Sequence, residues 1–118
     1  MEFMITFNHV DGVWDALSDE ARDAHQRWLD AFVQSLREEK GAELVFLTPA
    51  QHRTHVRKHD DGRIEHADGP AIPGSEQIGG YWIMEADSID EAMVWAERGR
   101  WLVGSNEVRQ IFRPRFGS

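Results

Sequence analysis

The sequence predicts an α+β fold, a two-layer sandwich in which two helices lie on one face of an antiparallel sheet. Two segments combine helical spacing of apolar residues with clear helix ends, while the other apolar segments are short and bounded by turn residues. Their order along the chain is strand, helix, strand, hairpin, strand, helix, strand. That order is typical of the ferredoxin-like arrangement.

The first helix is the best-defined element of the sequence. Ser18 is a suitable N-cap, and the following acidic residues Asp19 and Glu20 suit the positive end of a helix dipole. The helix is expected to run to about Lys40, with Gly41 as its C-terminal stop. Its apolar residues recur at helical spacing and form a stripe that faces the sheet: Ala21, Trp28, Leu29, Phe32 and Leu36.

The second helix begins after a capping box. Ser88 is followed three residues later by Glu91, the spacing at which the two side chains cap the first turn. Gly99 is expected to end this helix. The buried stripe predicted from helical spacing consists of Ile89, Ala92, Met93 and Ala96.

The strands are predicted from alternation and from turn residues. In the first, residues 3–9, Phe3, Ile5 and Phe7 lie on one face and their neighbours on the other. Residues 68–80 are expected to form a loop rich in glycine and proline. The further single strands are residues 43–48, 81–86 and 107–113.

A hairpin is predicted from residues 53–58 and 63–66, which flank Asp61-Gly62. A two-residue turn there would pair Asp60 with Arg63 and Lys58 with Glu65. Both pairs join opposite charges, which supports this register.

The composition limits the classes of function. The 118 residues fit one domain, spanning 1–118. There is no cysteine, which excludes disulfides, thiol nucleophiles and thiolate metal sites. The formal net charge of −8 argues against nucleic acid and anionic membranes as partners. Because no apolar run approaches the roughly 20 residues that span a bilayer, and the N-terminus lacks signal-peptide features, we expect a cytoplasmic protein.

Two helices can cover only one face of the predicted sheet. The chain has no third helix for the other face, and a second copy of the same sheet is the simplest cover. The sequence therefore predicts a homodimer.

Short motifs along the second half of the chain resemble those of the DGPF subgroup of the YCII-related family. They follow one another as Asp68-Gly69-Pro70, a Gly-Gly-aromatic strand at 79–86, Asp90-Glu91-Ala92, Trp95-Ala96 and 106–109. With the early strand and the long helix, the resemblance covers nearly the whole chain. It implies a ferredoxin-like fold that dimerises as an α/β barrel and, for the YCII branch, a His–Asp pair proposed as a catalytic centre. Members of the DGPF subgroup are often encoded beside extracytoplasmic-function sigma factors.

The chain departs from that subgroup in the loop after the motif. Ala71 stands where the subgroup usually has phenylalanine, and residues 71–75 replace an acidic, threonine-containing turn. A ligand preference cannot therefore be carried over from the resemblance.

His25 is the main candidate for chemistry. It lies at the centre of the apolar stripe of the first helix and therefore faces the sheet. A partly buried imidazole can serve as a general acid or base near neutral pH. The resemblance gives it the place of the histidine in the family's proposed pair. The alternative is a core histidine satisfied by a carbonyl or a carboxylate.

Asp68 is the second catalytic candidate, because the resemblance places a carboxylate at the start of the Gly-Pro turn. A carboxylate beside an imidazole fixes its tautomer and raises its basicity. The alternative, which the sequence favours, is a turn-forming role, since aspartate before Gly-Pro stabilises turns.

Polar and aromatic residues on the predicted central strands are candidates for ligand binding. Their alternative role is ordinary pairing across strands, for example Glu85 with Arg109. The candidates are Thr6, Asn8, Tyr81, Trp82, Glu85 and Arg109.

No metal or cofactor is predicted. His52, His55, His59 and His66 cluster around the hairpin, but His55 and His59 would lie about 13 Å apart along one strand, too far for one ion. There is also no phosphate loop, dinucleotide fingerprint or nucleophile elbow.

Two functions remain open from the sequence. The first is a cofactor-independent enzyme that acts on a small organic molecule with a His25–Asp68 acid/base pair. The second is a non-catalytic dimeric module that binds a small ligand or a protein partner, linked to sigma-factor regulation.

Overall fold

The computed structural model describes residues 1–50, 53–99 and 103–115. Their elements follow in the predicted order of strands, helices and hairpin. The helices are α1 (Asp19–Lys40) and α2 (Ile89–Arg98). The strands are β1 (Glu2–Val10), β2 (Val45–Phe46), β3 (His55–Lys58), β4 (Ile64–Ala67), β5 (Glu76–Glu85) and β6 (Gly104–Gln110).

Four strands form the main sheet in the order β2-β5-β1-β6, and every neighbouring pair is antiparallel. Both helices pack against one face of this sheet, here called the helix side; the other is called the open face. This arrangement confirms the predicted α+β, ferredoxin-like two-layer sandwich. Strands β3 and β4 form a separate two-stranded sheet.

The core lies between the sheet and the helices, as the alternation of β1 predicts. Phe3, Ile5 and Phe7 are almost fully buried on the helix side. From α1, Phe32 inserts its ring edge-on against Trp82 of β5, with 5.5 Å between ring centroids. The remaining buried apolar residues of this core are Leu36, Ala42, Met84, Ala86, Ala92, Trp95 and Ala96.

Both helices begin and end as the sequence predicts. The Ser18 hydroxyl accepts the N–H of Ala21 at 3.1 Å, and Gly41 ends α1 in the left-handed conformation. The Ser88 hydroxyl accepts the N–H of Glu91 at 3.2 Å. The Glu91 carboxylate, however, accepts the N–H of Asp87 at 2.7 Å, one residue earlier than a standard capping box.

The predicted buried stripe of α2 is wrong in two of its four residues. Ile89 and Met93 are 51% and 52% exposed, whereas Trp95 is buried. Ala92, Trp95 and Ala96 have the i, i+3, i+4 spacing of a helix face. The large Trp95 ring lies 6.2 Å from that of Phe32, so burial of this ring sets the rotation of the helix.

The predicted hairpin register is wrong by one residue. Arg57 lies opposite Glu65, and Lys58 lies opposite Ile64. The His59 N–H donates to the Arg63 carbonyl at 2.9 Å, which leaves three loop residues, 60–62, instead of two. Gly62, with a φ of 88°, supplies the left-handed residue that closes such a loop.

The largest differences from the predicted strand bounds are in β5, β6 and β2. β5 begins at Glu76, inside the predicted loop, because the long β1 pairs with it as far as Val10 opposite Glu76. β6 begins at Gly104 and ends at Gln110, three residues earlier than predicted at each end. β2 keeps only Val45 and Phe46 of the six residues predicted.

None of the helices in the described ranges has the length and apolarity needed to cross a membrane.

Candidate functional site

A cavity of about 350 Å³ lies between the end of β1 and the first half of α1. We call it the His25 cavity. Its apolar wall includes Val10, Val13, Trp14, Leu29, Phe46 and Pro49, and its polar wall consists of His9, Asp11, His25 and Gln26. A mostly apolar cavity with a few converging polar groups is the usual form of a small-molecule site.

His25 is held between two indole rings. Its ring centroid lies 5.7 Å from that of Trp14 and 5.3 Å from that of Trp28. Burial lowers the pKa of His25 below its ordinary value of 6.5, because the charged form loses water. The imidazole is therefore neutral at neutral pH and has a nitrogen lone pair that can accept a proton.

His9 is the second imidazole of the cavity, and its ring packs on the backbone of β5. A Cβ atom at Gly79 would lie 2.9 Å from His9 Cδ2, so only glycine leaves room for the ring. His9 Nδ1 is buried and has no hydrogen-bond partner in the described part of the chain. Buried nitrogens are rarely left without a partner, and this atom lies where a ligand can supply one.

Two periodicities in the sequence point to His9 as well as to His25. Strand alternation puts His9 on the same face as Phe3, Ile5 and Phe7, and helical spacing puts His25 on the face of α1 that looks toward it. The two periodicities together bring both histidines into the layer between sheet and helix.

Asp68 lies at the base of the hairpin. Its carboxylate accepts the N–H of Arg53 at 2.8 Å, and the carbonyl of Gly69 accepts the Thr54 hydroxyl at 2.6 Å. These contacts are those of a residue that fixes a turn. Among the described residues that line the His25 cavity, the carboxylate comes from Asp11 and not from Asp68.

A second cavity, of about 580 Å³, lies beside the Asp-Gly-Pro loop. It shares His9, Asp11 and Pro49 with the His25 cavity. Its other walls include Thr54, Pro70, Ala71 and Ile72. The Asp-Gly-Pro loop therefore lines a cavity that shares His9 and Asp11 with the His25 cavity. The atypical Ala71 lies in the wall of this second cavity.

The six predicted ligand-binding residues divide between the two faces of the sheet. Trp82 is 1% exposed in the core, on the helix side. The register of β1 with β5 and β6 places the other five together on the open face, away from His25: Thr6, Asn8, Tyr81, Glu85 and Arg109.

The expected pairing of Glu85 with Arg109 does not form, because β1 separates their strands. Glu85 instead accepts the amino group of Met1 at 3.1 Å. Arg109 donates to Glu107, two residues earlier on the same face of β6, at 3.2 Å. The Thr6 hydroxyl accepts the N–H of Glu107 at 3.1 Å.

The described histidines of the hairpin do not lie together as the ligands of one metal ion would. His55 Nδ1 lies 2.8 Å from the carbonyl of Gly69, and His59 Nε2 lies 3.6 Å from Glu65. His52 lies outside the described residues. Within the described ranges no group of three histidine or carboxylate side chains is arranged to hold a metal ion.

Comparison with known proteins identifies the family. None of the curated proteins matches the chain at a significant level. The YCII-related domain, by contrast, matches residues 1–114, a range that includes every helix and strand described above. The chain therefore belongs to the YCII-related domain family.

Proposed function

We propose that this protein is a cofactor-independent enzyme that binds a small organic molecule in the His25 cavity and uses His25 as a general base. The observation that carries the proposal is the half-buried imidazole of His25, whose pKa is lowered by burial, in a mostly apolar cavity. The neutral imidazole is the form of histidine that accepts a proton as a general base.

The two histidines have different roles in this proposal. His25 takes a proton from the bound molecule, whose electron pair stays on that molecule. His9 Nδ1, buried and without a protein partner among the described residues, makes a hydrogen bond to a polar atom of the ligand. The apolar part of the ligand contacts the rings of Trp14 and Phe46 and the side chain of Leu29.

Two carboxylates are candidates to support His25. The resemblance to the DGPF subgroup, which we retain as a proposal, favours Asp68 as the acid of a His–Asp pair. The lining of the His25 cavity favours Asp11. Substitution of each by asparagine, which keeps shape and removes charge, distinguishes them.

The test uses exchange of carbon-bound hydrogen. A panel of small aldehydes, ketones and 1,3-dicarbonyl compounds is incubated with the protein in D₂O and followed by NMR. The parent should accelerate deuterium uptake by at least one compound, and His25→Gln should abolish it while the circular dichroism spectrum is kept. His66→Gln, on the hairpin, is the matched control and should retain exchange. Unchanged exchange by His25→Gln would refute the role of His25.

We also propose that residues 1–118 form one domain and that the protein works in the cytoplasm.

We further propose that the protein forms a homodimer through the open face. The support for the dimer is that Ile78 and Ile83 lie exposed on this face, which neither α1 nor α2 covers. Light scattering coupled to size exclusion should give about twice the 13.6 kDa of one chain. A mass of one chain at micromolar concentration would contradict the dimer.

The alternative function is a non-catalytic module that binds a small ligand or a protein partner, in the sigma-factor context that the DGPF resemblance implies. The observation in its favour is the grouping of Thr6, Asn8, Tyr81, Glu85 and Arg109 on the open face. If this function holds, Arg109→Ala should abolish binding while His25→Gln leaves it intact.

A further inference from the structure

We infer that the β3–β4 hairpin is a dimerisation arm, which packs on the rim of the open face of a second copy of this chain. The arm comprises residues 55–67. The inference rests on the homodimer proposed above and adds the element that holds it together.

The arm is not part of the main sheet. β3 and β4 pair only with each other in the described sheets, and an isolated two-stranded hairpin is marginally stable in water. Its base is nevertheless fixed, because the Asp68 carboxylate and the Ala71 carbonyl accept hydrogen bonds from Arg53 and Arg57 at 2.8 and 2.7 Å. The orientation of the arm is thus fixed at its base, while neither of its faces is covered by the main sheet.

The dimensions of the chain fit a projecting arm. The radius of gyration is 17.0 Å, with extents of 50 × 45 × 19 Å. A compact chain of this length would have a radius of gyration of about 13.5 Å. The short extent fits one sheet and one layer of helices, so the excess lies along the two long directions.

One face of the arm is apolar and cationic. Val56 lies opposite His66, and Lys58 lies opposite Ile64, so all four side chains share a face. Val56 is 50% exposed and Ile64 is 62% exposed. Contact with a partner would remove the remaining exposed apolar surface of both side chains from water, which favours association.

A second copy offers a complementary surface. Ile78 and Ile83 lie exposed on the open face, where they can contact the apolar part of the arm. The charged side chains of this face are mostly carboxylates, with Arg109 as the cation among the strand residues. Of the four carboxylates, Glu2, Glu85 and Glu107 already pair with Arg113, the Met1 amino group and Arg109. Lys58 of an arm would complement the fourth, Glu76, which accepts a hydrogen bond from the Ser105 hydroxyl.

The area of the sheet can be compared with that of a stable interface. From strand rise and spacing, the four strands present a flat face of about 440 Å². Stable interfaces bury about 800 Å² on each partner. The flat value is a lower bound on the accessible area that two such sheets would bury, and an arm from each copy enlarges that contact. Reciprocal arms add both area and positive charge.

The test compares three variants by sedimentation and light scattering over a dilution series. V56S/I64S removes the apolar contacts of the arm and should weaken the dimer by at least about 100-fold, which corresponds to about 2.7 kcal/mol. M93S/V94S, which changes exposed apolar residues of α2, is the matched control and should leave the dimer unchanged. Ile83→Arg disrupts the open face and should give monomers. Circular dichroism verifies the fold of each variant.

The outcomes separate the two proposals. A monomeric parent would refute the homodimer and the arm together. A dimeric parent that Ile83→Arg dissociates, while V56S/I64S leaves its dissociation constant unchanged, would refute the arm and keep the homodimer. Loss of the dimer in V56S/I64S but not in M93S/V94S is the result expected for the arm.

Discussion

The imidazole of His9 lies against the backbone of Gly79, on the helix side of the sheet. A Cβ atom at position 79 would be 2.9 Å from His9 Cδ2 and 3.0 Å from His9 Nε2. The pairing of β1 with β5 shifts by one residue at this point, between Phe7 and Asn8. The glycine and the bulge together let a bulky ring of β1 lie flat over β5, where it forms part of the wall of the His25 cavity.

Gly79→Ala should displace His9 and lower stability by about 1–3 kcal/mol, the usual cost of overpacking a buried site. Urea unfolding measures the loss. The double variant H9A/G79A is the control: because the clashing ring is gone, its loss should be smaller than the sum of the two single losses. Simple additivity would show that the ring and the glycine do not interact.

Trp82→Phe should lower stability without affecting the site. Trp82 is buried under Phe32, and its indole N–H donates to the sulfur of Met84 at 3.4 Å. The smaller ring leaves a partial cavity, with an expected loss of about 1–2 kcal/mol. Thermal unfolding should show the loss, while deuterium exchange at 25 °C stays at the parent rate. Loss of exchange in a folded variant would show that Trp82 takes part in ligand binding.

Glu91→Gln should lower the free energy of unfolding at neutral pH, and the loss should be smaller in acid. Lys40 of α1 donates to Glu91, and this hydrogen bond, with that of the Asp87 N–H, lowers the pKa of Glu91 below its ordinary value of 4.5. The folded state therefore binds the proton less readily than the unfolded chain. The contribution is fully present above the unfolded pKa and is lost as the pH falls through the folded pKa.

Urea unfolding from pH 7 to pH 3 measures this effect. The difference between parent and Glu91→Gln should be largest at pH 7 and should shrink as the pH falls below 4.5. Glu39→Gln, which breaks an exposed ion pair with Arg98, is the matched control and should change stability little. A difference that stays constant with pH would mean that the charge of Glu91 contributes nothing.

His25 should titrate below its ordinary pKa of 6.5, because burial disfavours the imidazolium. The unfolded chain then binds the proton more readily, so the contribution of neutral His25 to stability is complete above about 6.5 and is lost as the pH falls through the folded pKa. Side-chain NMR across pH measures the value directly. In Asp11→Asn and Asp68→Asn, a further fall would identify the carboxylate that His25 senses. A parent value at or above 6.5 would contradict burial as the dominant cause.

The parts of the fold that the sequence predicts are those set by local signals. The bounds of α1 follow from Ser18 and Gly41, whose contacts lie within a few residues of themselves. The faces of β1 follow from strict alternation. The helix side and the open face of β5 and β6 could not be predicted, because each is fixed by its partner strand and, in β5, by the bulge at Gly79.

The candidate site was predicted in part for the same reason. His25 was found because helical spacing places it toward the sheet. Asp68 was assigned by resemblance, and its position beside Arg53 depends on how the hairpin base folds. Asp11 lies in a turn, where neither helical nor strand periodicity applies, so no periodicity places it near His25.

The topology of β1 has a consequence for synthesis of the protein. This first strand is the centre of the sheet, yet its partners are made late: Thr6 lies opposite Tyr81 on one side and Glu107 on the other. During translation β1 and the apolar stripe of α1 leave the ribosome long before either neighbour exists. Such long-range pairing slows folding and keeps apolar surface exposed. The nascent chain therefore cannot complete the two-layer core until β5 and β6 have emerged.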